Sequence, residues 1–157
     1  MSGSTYKIKP QNSLAIAFVA SQFTIFEGST LTAKIWVLDD KGYKVPDAEV
    51  KAILKSKEQT LPSINNSYII SMKELPPGKH LIQLEASRPG YMKAQASLFV
   101  HVLIRGNVNG DDIVDYRDLA ILVASYGKTN MFMDLNGDGI IDYKDIAIAI
   151  SNYGRKE

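Results

Sequence analysis

Two stretches decide how the chain is read: Asn107-Val-Asn-Gly-Asp-Asp-Ile-Val-Asp-Tyr-Arg-Asp118 and Asp134-Leu-Asn-Gly-Asp-Gly-Ile-Ile-Asp-Tyr-Lys-Asp145. The second repeats the first at an offset of 27 residues, so Asn109 falls on Asn136, Asp111 on Asp138, Asp115 on Asp142 and Asp118 on Asp145. Each is followed by an apolar run, LAILVASYG after Asp118 and IAIAISNYG after Asp145. The correspondence continues through Tyr116 and Tyr143, Ala120 and Ala147, Tyr126 and Tyr153, and Gly127 and Gly154. Identity that dense marks an internal repeat.

Oxygen-bearing side chains fall at loop positions 1, 3, 5, 9 and 12 of each stretch, the spacing of a calcium loop. A hard cation collects about six to eight oxygens at about 2.3–2.6 Å only where ligands alternate with turn residues. In loop 134–145 the expected ligands are Asp134, Asn136, Asp138, the carbonyl of Ile140, Asp142 and Asp145. In loop 107–118 they are Asn107, Asn109, Asp111, the carbonyl of Ile113, Asp115 and Asp118. The expectation is therefore two calcium ions. The first site is expected to be the weaker, because Asn107 lacks the charge of Asp134 and Asp112 stands where Gly139 eases the turn. Ion binding would then supply folding free energy to a short segment with little core of its own. The apolar runs predict two short helices over Leu119–Tyr126 and Ile146–Tyr153, stopped by Gly127 and Gly154. They are apolar nearly all round, which predicts a packed face and a second face open to a partner.

Outward from the repeats the texture changes. Residues 1–100 carry a net charge of +4 and residues 101–157 carry −3, within a chain of 157 residues and net charge +1. Strand-like alternation marks Leu14–Val19, Leu31–Leu38, Glu49–Leu54, Tyr68–Ser71, His80–Ala86 and Ala96–Leu103. Turn signals sit at Asp39-Asp40-Lys41-Gly42, Asn65-Asn66, Pro76-Pro77-Gly78 and Arg88-Pro89-Gly90. Short strands with turns between them predict an antiparallel β-sandwich. The boundary is placed at residues 103 and 104, giving a sandwich over 5–103 and a repeat segment over 104–157. Met1-Ser2-Gly3-Ser4 reads as a short added leader.

Composition removes other classes. Without cysteine there are no disulfides, thiolate metal sites or cysteine nucleophiles. A hydrophobic fraction of 45% with 22% charged residues is a folded composition, neither disordered nor nucleic-acid-like. No run of roughly 20 apolar residues is present to span a bilayer. The acids are committed by their loop spacing, which argues against a glycosidase pair. No phosphate loop or nucleophile elbow occurs, so no enzyme is expected. His80 and His101 read as surface or edge residues rather than ligands. Trp36, Tyr43, Tyr68 and Tyr91 could form a carbohydrate platform, although cores and turns use the same residues.

Residues 105–155 resemble dockerin modules, which are tandem calcium loop–helix repeats; Asp in place of Glu at position 12 is part of the likeness. The resemblance implies a small all-α C-terminal fold and binding to a cohesin of a scaffoldin or surface protein. It also implies an extracellular or cell-surface address, as in a cellulosome. The family's partner-binding positions fall on Tyr116, Arg117, Val123 and Ala124, and on Tyr143, Lys144, Ile150 and Ser151. Tyr-Arg and Tyr-Lys depart from the Ser or Thr common in cellulosomal dockerins. The preceding segment, with LTAKIWVLDDKGYKVPDAEV and LPPGKHLIQLEASRPGY, resembles the Ig-like X-modules that stabilise dockerins. Two alternatives remain open: a structural calcium-rigidified tail of a secreted surface protein or polysaccharide-degrading enzyme without a cohesin partner, and a carbohydrate-binding accessory module.

Overall fold

The computed structural model describes residues 12–20 and 22–157. The leader and the first residues of the expected sandwich lie outside them. Among the described residues, ten strands precede two helices. The strands are β1 Asn12–Phe18, β2 Gln22–Phe26, β3 Leu31–Asp39, β4 Glu49–Leu54, β5 Lys57–Thr60, β6 Ser63–Ile64, β7 Ser67–Met72, β8 Gly78–Ser87, β9 Tyr91–Met92 and β10 Ala94–Leu103. The helices are α1 Tyr116–Ala124 and α2 Tyr143–Ser151.

The strands form two five-stranded sheets, ordered β6-β7-β3-β1-β9 and β2-β10-β8-β4-β5. Side chains alternate between buried and exposed along β3 (Leu31, Ala33, Ile35 and Val37 in, Thr32 and Lys34 out) and along β8 (His80, Ile82, Leu84 and Ala86 in). This is the period-two signature of sheets with one buried face. The expectation of a purely antiparallel sandwich is corrected, because β1 pairs β9 in parallel at Asn12 and Ser13, and β10 pairs β2 in parallel from Phe99 to Leu103. A parallel pair needs a crossover rather than a hairpin, and the long connections between these partners supply one. Both parallel partners are short strands at the sheet edges.

The chain packs as two compact units that are not continuous in sequence. Unit 1 is Met1–Ser21, Thr32–Ser71 and Leu81–Leu98; unit 2 is Gln22–Leu31, Met72–His80 and Phe99–Glu157. The expected all-α C-terminal fold is therefore corrected. The compact unit that holds the repeats also holds β2 and the second half of β10, and its only helices are two segments of nine residues each.

Within unit 1, Tyr68 ties the β3–β4 connection to β7. Its ring is buried, and its hydroxyl accepts from the Ala48 N–H at 2.9 Å and lies 2.9 Å from the Val45 carbonyl. Burial pushes the phenol pKa up. Tyr68 is thus lost to any carbohydrate platform, although Tyr43 is exposed and the ammonium groups of Lys34 and Lys44 each lie 5.7 Å from the Trp36 ring centroid. Tyr68→Phe keeps the ring and leaves the Ala48 N–H without its acceptor. Urea denaturation should show a loss of roughly 1–3 kcal/mol with an unchanged m-value; an unchanged midpoint would mean that the hydroxyl is dispensable.

Candidate functional site: the repeated acidic loops and their helices

The core of unit 2 is the cluster Val108, Leu122, Leu135, Ile141 and Ala149, with Phe26, Leu119 and Ile146 packed against it. Each repeat contributes equivalent residues, as the internal repeat requires. Val108 matches Leu135, and Leu122 matches Ala149 in the helices. Gly106 has φ +113°, and a Cβ there would sit 2.8 Å from the Ala149 Cα, so α2 and this turn approach as closely as glycine allows.

Asp118 and Asp145 are fully buried. The Asp118 carboxylate accepts from the N–H groups of Val108, Asn109 and Asp115 at 2.8, 3.1 and 2.9 Å. Asp145 accepts from Leu135, Asn136 and Asp142 at 2.7, 3.2 and 2.7 Å. Each is also the N3 residue of a capping box whose N-cap is Asp115 or Asp142. The helices consequently begin three residues earlier than the apolar runs alone predict.

The remaining loop acids turn onto the chain's own donors. Asn107 Oδ1 accepts from the Gly110 N–H at 2.8 Å, and Asn109 Oδ1 from the Asp111 N–H at 3.0 Å. Asp134 accepts from the N–H groups of Gly137, Asp138 and Gly139, and Asn136 Oδ1 from the Asp138 N–H. One Arg117 terminal nitrogen lies 2.8 Å from Asp111 and 2.7 Å from Asp115. The Lys144 ammonium reaches Asp138 at 2.7 Å and Asp142 at 3.6 Å. The Arg117 side chain holds the Asp115 carboxyl below the usual carboxylate range, and Lys144 does the same for Asp138. Ile113 is half-buried and Ile140 exposed. Asp112 takes φ +73° where the second repeat has Gly139 at +95°, so the turn is kept without glycine.

The expectation of two calcium ions is corrected by this arrangement. The loop carboxylates are taken up by backbone N–H groups and by Arg117 and Lys144. Among the described residues, the group of three or more His, Asp or Glu ligand atoms close enough to share an ion is His101, Asp112 and Glu157, not a loop set.

The two repeats exchange backbone bonds. The Gly127 N–H donates to the Ile141 carbonyl and the Ile141 N–H to the Lys128 carbonyl; the Gly154 N–H donates to the Val114 carbonyl and the Val114 N–H to the Arg155 carbonyl. Each helix therefore ends by pairing with the other repeat's loop. The chain end is fastened by Arg155, whose two terminal nitrogens meet the two Glu27 oxygens at 2.7 and 2.8 Å. Arg105 adds a bond to the Leu135 carbonyl at 3.3 Å.

The helices carry exposed apolar residues in equivalent pairs, Tyr116 and Tyr143 (68% and 66% exposed) and Val123 and Ile150 (59% and 56%), with Tyr126 and Tyr153 exposed just beyond the helix ends. Ala124 and Ser151 are exposed too, and the Ser151 hydroxyl donates to the Ala147 carbonyl. Of the positions expected to meet a partner, Arg117 and Lys144 are instead engaged with loop acids, and the others face solvent. His80 is buried, with Nε2 2.8 Å from the Pro76 carbonyl. Recesses of about 190 and 90 Å³ in unit 1 are lined by Gln83, Glu85, Gln95 and Ser97, and by Glu49, Lys51 and Lys93. The Gln95 amide already donates to Glu85 in the first.

No family model matches the chain, and no curated protein matches it. Solved structures do. A chain titled type II cohesin-dockerin domain from Bacteroides cellolosolvens is 36% identical over 34% of this chain and 88% of that one, with a TM-score of 0.33. Domains 4 and 5 of the S-layer protein SbsC are 18% identical over 56% of this chain and 50% of theirs, with a TM-score of 0.44. The PKD domain of human KIAA0319 is 14% identical over 66% and 92%, with a TM-score of 0.45. The chain thus spans half the length of the SbsC piece.

The dockerin and X-module expectation is corrected accordingly. The described residues form ten strands in two sheets and only two nine-residue helices, not a small all-α module. The cohesin partner and the scaffoldin or cellulosome setting fall with that family.

Two outcomes are expected. Asp145→Ala leaves three inward N–H groups without an acceptor and should cost roughly 2–5 kcal/mol in urea denaturation; a loss below about 0.5 kcal/mol, the level of a neutral surface change, would refute the buried anchor. Arg155 depresses the Glu27 pKa from its ordinary 4.5. The pair therefore adds stability above the unfolded carboxylate range and loses it as pH falls through the depressed value. With both groups partly exposed, the contribution is about 1 kcal/mol at most. The stability gap between the parent chain and Glu27→Gln should hold above the ordinary carboxylate range and close as pH falls through the depressed value. A gap independent of pH would contradict the ion pair.

Proposed function

We propose that the chain is a structural or adhesion module of a secreted or cell-surface protein: a β-sandwich (5–103) followed by a repeated loop–helix tail (104–157) that makes protein contact without chemistry. The observation that carries the reading is the pairwise exposure of Tyr116 and Tyr143 and of Val123 and Ile150 on helices otherwise anchored inward, and of Tyr126 and Tyr153 just beyond their ends. Apolar residues left in water on a rigid, symmetric support mark an interaction face rather than a spacer. Exposed tyrosines next in sequence to Arg117 and Lys144 have the character of interface anchors. The similarity to S-layer and Ig-type sandwiches supports placing such a module outside the cell.

A fluorescent fusion of the chain should co-sediment with the envelope fraction of its source cells. Changing Tyr116 and Tyr143 together to Ala should weaken retention by about 30-fold, the loss of one strong anchor, with circular dichroism and melting unchanged. Equal retention would refute the helix face as the contact. A collapse of the fold would show that the tyrosines are structural.

A further inference from the structure

We propose that His101, Asp112 and Glu157 form a site for a divalent transition metal of the zinc class. Their ligand atoms all lie within 4.8 Å of one another. His101 Nε2 is 2.5 Å from Glu157 Oε2 and 3.7 Å from Asp112 Oδ1. Bonds of about 2.0–2.2 Å place tetrahedral donors roughly 3.3 Å apart, between those two separations. An ion would enter by opening the His101–Glu157 contact and taking the place of the proton between them.

The donors are held in place by backbone. His101 lies on β10, in register with Thr24 of β2. The Glu157 N–H donates to the Asp112 carbonyl at 3.1 Å, and an isolated bridge joins Ile113 to Lys156 next to it. Asn107 Nδ2 donates to Glu157 Oε1 at 3.2 Å, the outer-sphere bond that ligating carboxylates need.

Charge supplies an independent argument. The Glu157 side chain is only 4% exposed, and its partners are an imidazole and an amide. A buried carboxylate calls for a cation. The neighbouring Lys79 ammonium is spent on Asp112 at 3.3 Å, and its side chain is 71% exposed, free to swing away. Asp112 is itself more than half exposed and opens the site to solvent. One imidazole with two carboxylates suits zinc, cobalt or nickel better than calcium, whose sites are all oxygen. Asp112 lies in loop 107–118 but is not among the oxygen donors that the loop spacing singles out, so the proposed site and the expected loop set share no ligand. A bound ion would clasp β10 to the chain end and stabilise unit 2 by mass action.

The test is a cobalt titration of the full chain followed by visible absorption, with zinc displacing the cobalt. A one-to-one ligand-field band is expected, lost on zinc addition and unmoved by millimolar calcium. His101→Ala and Glu157→Gln should each weaken binding at least tenfold, and His80→Ala should not. Should His101→Ala misfold, Glu157→Gln alone decides. Absence of a band, or a band that survives both variants, overturns the proposal.

Discussion

Two buried carboxylates, Asp118 and Asp145, hold the repeat segment together. Each sits with no solvent exposure and gathers three backbone N–H groups, two from the start of its loop and one from the N-cap. A charge in that position is tolerable only because all its donors are aligned. The same contact turns the loop back on itself, places the N-cap, and aims the helix so that Leu122 or Ala149 enters the core. Every other feature of unit 2 presupposes those two knots.

The repeats complete one another rather than standing alone. Gly127 and Lys128 pair with Ile141, and Gly154 and Arg155 pair with Val114, so neither loop has its backbone satisfied without the other. The close approach of Gly106 to Ala149 and the Glu27–Arg155 fork lock the arrangement at its two ends. This interdependence compensates for the small core of a segment that has no cysteine to staple it. The acids left over are neutralised from within, by Arg117 in one repeat and Lys144 in the other. The helices' outer faces are left free.

Much of this was legible where the signal is local. Glu49–Leu54 coincides with β4, and the alternation of Leu31, Ala33, Ile35 and Val37 places β3 with its buried side correct. The strands missing from the expectation are β2, Gln-Phe-Thr-Ile-Phe, and those with little pattern: β5 is Lys-Glu-Gln-Thr, exposed throughout, and β6 and β9 have two residues each. Parallel pairing of β2 with β10 rests on partners far apart in sequence and leaves no mark on either strand. The helix starts were readable in principle, since Asp115-x-x-Asp118 and Asp142-x-x-Asp145 are capping boxes with Asp at N3. Loop spacing singled out the oxygen-bearing residues but not what satisfies them, because oxygen-rich loops look alike whether an ion or a guanidinium balances the charge. His101 with Glu157, and Glu27 with Arg155, are 56 and 128 residues apart, and no periodicity reports such contacts.

Native-state hydrogen exchange, resolved by amide, tests the account most directly. If the buried aspartates are the anchors, the N–H groups of Val108, Asn109 and Asp115 and of Leu135, Asn136 and Asp142 exchange as slowly as the interior amides of α1 and α2. They would then open with those helices in one cooperative step. Fast exchange at these six amides, with both helices still protected, would show that the loops are not held by Asp118 and Asp145 and would contradict the account.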